Sequence, residues 1–250
     1  MTEGDPGPRE SRGMSAPILS LRGVGFDYGP LSVIDGLDLE VARGELLVCV
    51  GPSGCGKSTL LSLLGGHLPP TRGTVERGGQ SRTIYQDGGL FPWLTVRENI
   101  AHGLPRNTAP AARVQKVKDW LEITRLAEFA GHYAHELSGG MRQRVELARA
   151  LAAETDVLLM DEPFSALDYQ TRNRMRRELA ATLAERPRTV VFVTHDIEEA
   201  VQLGDRVVVL GDRPARVRRV FELPPGRPRL PAAPGVAEAE QAIMEELGLH

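Results

Sequence analysis

The sequence predicts an α/β fold, with a parallel sheet covered by helices on both faces, an antiparallel β subdomain and an inserted α-helical subdomain. Three observations predict it. Continuously apolar runs recur at Leu46–Val50, 157–160, 189–193 and 207–210, as strands buried on both faces require. Helical spacing fills the gaps between them, with Met175, Leu179 and Leu183 four residues apart on one face. Near the amino end, apolar and polar residues alternate instead (Leu19, Leu21, Val24, Phe26), the pattern of strands with one wet face.

Taken in order, 1–17 is rich in Gly, Pro and charge and lacks the apolar stretch of a secretory signal, so it reads as a disordered tail, with Met14 a second candidate start. Strands follow at 18–28 and 37–41, joined by turns at Tyr28-Gly29-Pro30 and Ala42-Arg43-Gly44. The apolar run Leu46–Val50 leads through a Gly-rich turn into a helix that begins at Lys57. Pro69-Pro70-Thr71-Arg72-Gly73 breaks the chain, and 74–76 and 82–85 are short strands about the turn Gly78-Gly79. From about 89 to 153 the pattern is helical, interrupted at Gly103-Leu104-Pro105 and Ala130-Gly131-His132. Val114, Val117, Trp120 and Leu121 make one stripe there, with Asn107 or Thr108 placed to cap it. A helix starts near Asp168. Beyond it, 211–234 is Arg- and Pro-rich and irregular, and Val236, Ile243, Met244 and Leu247 mark a short terminal helix. The expected division is a tail at 1–17, a main domain at 18–212 holding the helical insertion, and an extension at 213–250.

Composition narrows the function. The 250 residues suffice for a full core, and no apolar run approaches the roughly 20 residues needed to span a bilayer. A net charge of −3 argues against general nucleic-acid binding. The cluster Arg213, Arg216, Arg218, Arg219, Arg227 and Arg229 is broken by prolines and lacks interleaved aromatics, so it reads as a solvated tail. The only cysteines are Cys49 and Cys55, one in a strand and one in a tight loop where a disulfide would distort the backbone, so both are expected as reduced thiols in a cytosolic protein.

Chemistry concentrates at strand ends. Gly51-Pro52-Ser53-Gly54-Cys55-Gly56-Lys57-Ser58-Thr59 fits the phosphate-loop pattern G-x-x-x-x-G-K-[ST] between a strand and a helix. The glycines let successive N–H groups turn toward one anion, and the helix start adds its dipole. Lys57 can reach the outer phosphates, and the Ser58 hydroxyl can ligate Mg²⁺. The chain is therefore expected to bind a nucleoside triphosphate. A second buried strand ends in Asp161-Glu162, carboxylates that are costly to desolvate without a cation. Asp161 suits Mg²⁺, and Glu162 suits a general base acting on water. His195 and Gln86 each follow a strand in the same way; each is a turn residue, or else His195 hydrogen-bonds a γ-phosphate or the attacking water and Gln86 senses the metal and that water. Ser138-Gly139-Gly140 opens another helix, so one chain offers two anion-binding helix starts. Two copies arranged head to tail would use both.

In this order, the phosphate loop, the stretch 137–143, Asp161-Glu162, Ser165-Ala166-Leu167-Asp168 and His195 resemble the ATP-binding subunit of an ATP-binding cassette (ABC) transporter, over about residues 18–212. The resemblance implies a P-loop NTPase (RecA-like) core that binds ATP and Mg²⁺ and works as a homodimer. It further implies that Ser138, Gly139 and Gly140 bind the partner copy's γ-phosphate, that Asp168 links the two sites, and that Tyr28 stacks on adenine. A narrower resemblance, to the nitrate/sulfonate/taurine importer branch, rests on Gln86-Asp87 leading to Leu90-Phe91-Pro92-Trp93-Leu94-Thr95-Val96, on Thr194-His195-Asp196-Ile197-Glu198-Glu199-Ala200-Val201 and on Arg213-Pro214-Ala215-Arg216-Val217. Two departures weigh against the branch assignment: a compact 71–86, where the family carries a longer hairpin, and Tyr85, where Phe is more usual. That branch implies an integral membrane permease, an external solute-binding protein and a place at the cytoplasmic face of the bacterial inner membrane. The solute would be a small anion, or another nutrient such as bicarbonate or a thiamine or pyrimidine precursor. Phe91-Pro92-Trp93 would either receive the permease or pack the helical insertion. A soluble ABC ATPase and a P-loop kinase are the rival readings. The first usually needs a second cassette or a coiled-coil insertion, and the second does not account for 137–143.

Overall fold

The computed structural model describes residues 16–85 and 89–249. Two sheets organise it. The first is antiparallel, in the order β2-β1-β4, from β1 (Leu19–Tyr28), β2 (Leu31–Val41) and β4 (Arg72–Arg77). The second runs β5-β6-β7-β3-β8-β9, from β3 (Leu46–Val50), β5 (Ser81–Ile84), β6 (Val157–Asp161), β7 (Thr189–Thr194), β8 (Arg206–Leu210) and β9 (Val217–Glu222). Its strands are parallel except β9, which pairs antiparallel with β8. The helices are α1 (Lys57–Leu64), α2 (Val96–Gly103), α3 (Pro110–Ile123), α4 (Gly139–Ala152), α5 (Tyr169–Glu185), α6 (Ile197–Leu203) and α7 (Val236–Leu247).

The apolar strands β3, β6 and β7 are buried along their whole length, because hydrophobic clusters lie on both sides of the parallel sheet. One joins Val48, Met160 and Phe192 to α5 and α6 residues such as Leu179 and Val201. The other joins Leu47, Leu159 and Val191 to α1 and the antiparallel sheet. A third cluster, around Ile100, Leu121, Leu126 and Val145, belongs to α2–α4 between β5 and β6.

Several local expectations are corrected. The segments 74–76 and 82–85 do not pair with each other: β4 joins the antiparallel sheet and β5 the parallel one. The chain is handed across by Gly78 N–H donating to Ile18 O and Gln80 N–H donating to the Asp156 carboxylate. Helix α3 is capped by neither Asn107 nor Thr108; it starts after Ala109 with Pro110, whose fixed φ suits a first turn. Its apolar stripe is narrower than expected, since Val117 and Leu121 are buried while Val114 is exposed.

The Arg-rich segment is not a solvated tail. β9 extends the sheet, and α7 packs Val236 and Ile243 into the core beneath it. Arg216 pairs with Asp35, Arg218 with Asp212 and Arg227 with Asp205. Arg229 is buried and donates to the carbonyls of Pro224, Val201 and Gly204, closing the end of α6. Arginine count alone hid this, because a guanidinium that finds carbonyl acceptors is as much a packing residue as a charge.

Candidate functional site

Strand order builds the site. β7 lies between β3 and β6, with Val50 beside Thr194 and Val193 beside Asp161. Three consecutive strands therefore end at one edge and deliver the Gly51 loop, His195 and Asp161-Glu162 side by side. Crevices outside the carboxyl ends of parallel strands are where α/β folds bind ligands. A cavity of about 450 Å³ occupies this edge, lined among others by Tyr28, Ser53, Lys57, Ser58, Glu162 and His195. A larger cavity, about 670 Å³, lies where β3, β6 and β7 begin, beside Gly44, Asp156 and Thr189. It touches none of the strand-end motifs, so chemistry and not volume selects the smaller one.

The loop before α1 has the shape its glycines predict. Gly54 has φ 74° and Gly56 φ 120°, and Gly56 begins α1 with no side-chain cap, so the first N–H groups of the helix face the loop. A Cβ at Gly56 would stand 3.0 Å from Val33, and one at Gly51 would stand 3.0 Å from the Cys55 sulfur and 3.1 Å from Leu210 O. Gly54 has open space where its Cβ would be. Lys57, 7% exposed, folds back so that Nζ donates to the carbonyls of Gly51 (2.8 Å) and Pro52 (2.9 Å). This holds a cation at the centre of the curl, and Thr59 lines the same cavity. Cys49 and Cys55 are buried free thiols, and burial pushes Cys49 up to about 12.

Glu162 carries the chemistry's geometry. Its backbone has φ 44°, a left-handed conformation that costs a non-glycine residue on the order of 1–3 kcal/mol. Its neighbours hold it there: its N–H donates to Val193 O at 2.9 Å, and its carbonyl accepts from Gln143 Nε2 at 3.2 Å and Ser165 Oγ at 3.0 Å. The side chain then reaches His195, with Oε1 3.0 Å from Nδ1. Asp161, at the strand end, is 7% exposed. Among the described residues no three His, Cys, Asp or Glu side chains gather as a metal cage. Ser58 lines the cavity and Asp161 ends β6, and each offers the oxygen donor that Mg²⁺ takes, usually one or two from protein with phosphate oxygens and water completing the shell. Gln86, the other expected metal and water contact, lies outside the described residues.

The remaining residues fall into two groups. Tyr28 ends β1 half exposed over the cavity, its ring edge-on to Phe26 at 4.8 Å. Ser138, Gly139, Gly140 and Asp168 do not line that cavity. They share a separate face: a Cβ on Gly140 would stand 3.0 Å from Ala166 O, so the Ser138 turn lies against the turn that ends at Asp168. Each caps a helix, Ser138 accepting from Met141 N–H at 3.3 Å and Asp168 from Thr171 N–H at 3.0 Å. Asp168 is held below the usual carboxylate range by the hydroxyl and amide of Thr171.

Sequence reading missed two contributors. Gln143 sits in the recognised stretch, but no role was given to it; besides holding Glu162 it accepts from Ala166 N–H at 3.0 Å, tying α4 to the whole 162–166 turn. Arg213 lines the cavity. It follows β8, the neighbour of β3, so the strand-end rule that found Asp161 and His195 was signal enough to find it.

The loop Phe91-Pro92-Trp93 is both packed and presented. Phe91 lies under His102 (4.6 Å between ring centres) and the Arg149 guanidinium (5.2 Å), while Trp93 is 70% exposed.

Comparison with known proteins places this arrangement in a family. The family model described as ABC transporter matches residues 34–165. The chain is 39% identical over 221 residues to the Taurine import ATP-binding protein TauB of Roseobacter denitrificans, covering 85% of this chain and 82% of that protein. It is 38% identical over 226 residues to the Aliphatic sulfonates import ATP-binding protein SsuB of Bacillus cereus, covering 87% and 89%. The dimeric structure of a bacterial ABC transporter cassette superposes with a TM-score of 0.74 at 30% identity, covering 83% of this chain and all of that one. The same cassette in a dimeric post-hydrolysis state bound to ADP and Pi superposes equally well, at 29% identity and the same coverage. On the family match, the identity to these relatives and the shared fold, the chain belongs to the ABC transporter family.

Proposed function

We infer that this chain is the ATP-hydrolysing subunit of an ABC importer, and that two copies drive uptake of a small sulfonate-like anion through a separate membrane permease. The observation that carries the reading is the split site. Lys57, Ser58, Glu162 and His195 line one cavity, whereas Ser138, Gly139, Gly140 and Asp168 present a different, exposed face of the same chain. A second copy placed head to tail would bring the two groups onto one nucleotide, and the dimeric state of the similar cassettes supports pairing of two copies.

In that assembly Gly51, Pro52, Ser53, Gly54, Cys55, Gly56 and Thr59 wrap the phosphates with backbone N–H groups. Lys57 exchanges its two carbonyl partners for phosphate oxygens, and Tyr28 offers its ring to the base. Ser58 and Asp161, with Gln86, hold Mg²⁺, which when bound neutralises charge on the phosphates. Glu162 accepts a proton from the attacking water as the bond to the γ-phosphate breaks. His195, 3.0 Å from Glu162, orients that carboxylate and contacts the γ-phosphate. Ser138, Gly139 and Gly140 of the other copy close over it. ATP binding thus favours the closed dimer and hydrolysis the open one. Trp93 and the half-buried Phe91 supply an apolar surface for the permease at the cytoplasmic face of the membrane, and a solute-binding protein outside would deliver the cargo.

Glu162→Gln tests the core of the reading. It should bind ATP normally, lose turnover and accumulate as a dimer by light scattering. A variant that stays monomeric with ATP bound would remove the shared site.

A further inference from the structure

We propose that Arg172 is a positioning residue that couples the Asp168 turn to the His195 turn within each copy, so that the state of the dimer interface reaches the hydrolytic pair. The inference rests on the shared-site reading above. It adds the physical connection between that site's two halves.

The connection is a charged cluster on one face of α5. Arg172 Nη2 donates to Leu167 O at 3.2 Å, the carbonyl immediately before Asp168. Its Nη1 donates to the Asp196 carboxylate at 3.2 Å, the residue immediately after His195. Its Nε stands 3.8 Å from the Glu199 carboxylate. One guanidinium thus spans the two turns. A turn further along, Arg176 is 1% exposed and donates to Asp196 at 3.2 Å, Glu199 at 3.1 Å and Gln202 Oε1 at 3.3 Å.

The receiving turn is fixed from inside as well. Asp196 caps α6 by accepting from Glu199 N–H at 3.1 Å, and its own N–H donates to Thr194 Oγ1 at 3.0 Å. Thr194 Oγ1 in turn donates to Glu199 at 2.8 Å. These bonds tie Thr194, Asp196 and Glu199 into one unit, with the exposed His195 held between them. Two arginines face Asp196, Glu198 and Glu199 here. Burying so many charges is a poor way to gain stability, since apolar residues of equal volume often serve as well. What the charges supply is direction. A planar fork holds two acceptors at a set angle, which a lysine ammonium cannot do.

The test uses Arg172→Lys and Arg172→Met in the full chain. Nucleotide binding is read by calorimetry, steady-state hydrolysis against ATP concentration, and folding by thermal melt. Both variants should bind ATP within about twofold of wild type, because the phosphate loop is untouched. Both should lose about tenfold or more in kcat, the scale expected when a reacting group is displaced by a fraction of an ångström to one ångström. The dependence of rate on ATP should also lose its cooperativity, which simple loss of folded protein would not change. If Arg172→Met does not fold, Asp196→Asn carries the same test, because Asn still caps α6 while giving up the charge. Wild-type kcat and cooperativity in Arg172→Lys would overturn the proposal. His195→Ala separates the two levels: if it also hydrolyses ATP normally, the shared-site mechanism itself fails; if it is inactive, only the role of Arg172 does.

Discussion

Replacing Asn99 by Ala should loosen the loop that presents Trp93, at a cost the structure allows one to work out. Asn99 is 1% exposed and sits in the first turn of α2. Its Oδ1 accepts from Phe91 N–H at 2.9 Å, and Nδ2 lies 3.2, 3.0 and 3.1 Å from the carbonyls of Phe91, Leu94 and Thr95. An amide nitrogen has two hydrogens, so these three acceptors share two donors, and the group makes three full bonds in all. At about 1 kcal/mol each, the loss is roughly 3 kcal/mol. For a chain of this size that corresponds to a fall of about 6–12 °C in Tm. Urea titration measures the energy, and amide exchange at Phe91 and Leu94 locates it. ATP hydrolysis by the isolated subunit should persist, because none of these bonds touches the cavity. A loss below about 0.5 kcal/mol, the range of ordinary surface substitutions, would refute the claim that Asn99 rivets the loop.

Further outcomes follow from the same geometry. Lys57→Ala removes the lysine at the cavity wall and should abolish most nucleotide binding; unchanged affinity in a fluorescent-nucleotide titration would contradict the phosphate loop. Phe91→Glu combined with Trp93→Glu should spare ATPase activity in isolation and stop uptake in cells, and normal uptake would end the docking assignment. Asp168 has a depressed folded-state pKa, so its charge contributes stability above the ordinary value of 3.8 that is lost as pH falls through the folded value. Asp168→Asn keeps the cap but lacks the charge, so its melting temperature should trail wild type at pH 6 and converge with it below about pH 4. A constant gap across that range would exclude the linkage.

What the sequence determined by itself was the strongest of the local patterns. A strand buried on both faces is mostly apolar, a backbone that wraps an anion needs glycine, and Ser or Asp at a helix start can cap it. Leu46–Val50, the Gly51 loop, Asp161 at a strand end and the capping residues Ser138 and Asp168 were therefore legible before any fold was known. Tertiary structure decided what depends on strand order and on acceptors far along the chain. Placing β7 between β3 and β6 brings His195 to Glu162, and no local pattern encodes that order. The left-handed turn at Glu162 exists because Gln143 and Ser165 hold its carbonyl. Arg229 reads as part of a solvated tail, and Arg172 and Arg176 carry no sequence signal, until the fold brings carboxylates and carbonyls to them. A guanidinium's role is set by which acceptors surround it, and for these three those lie up to 28 residues away in the chain.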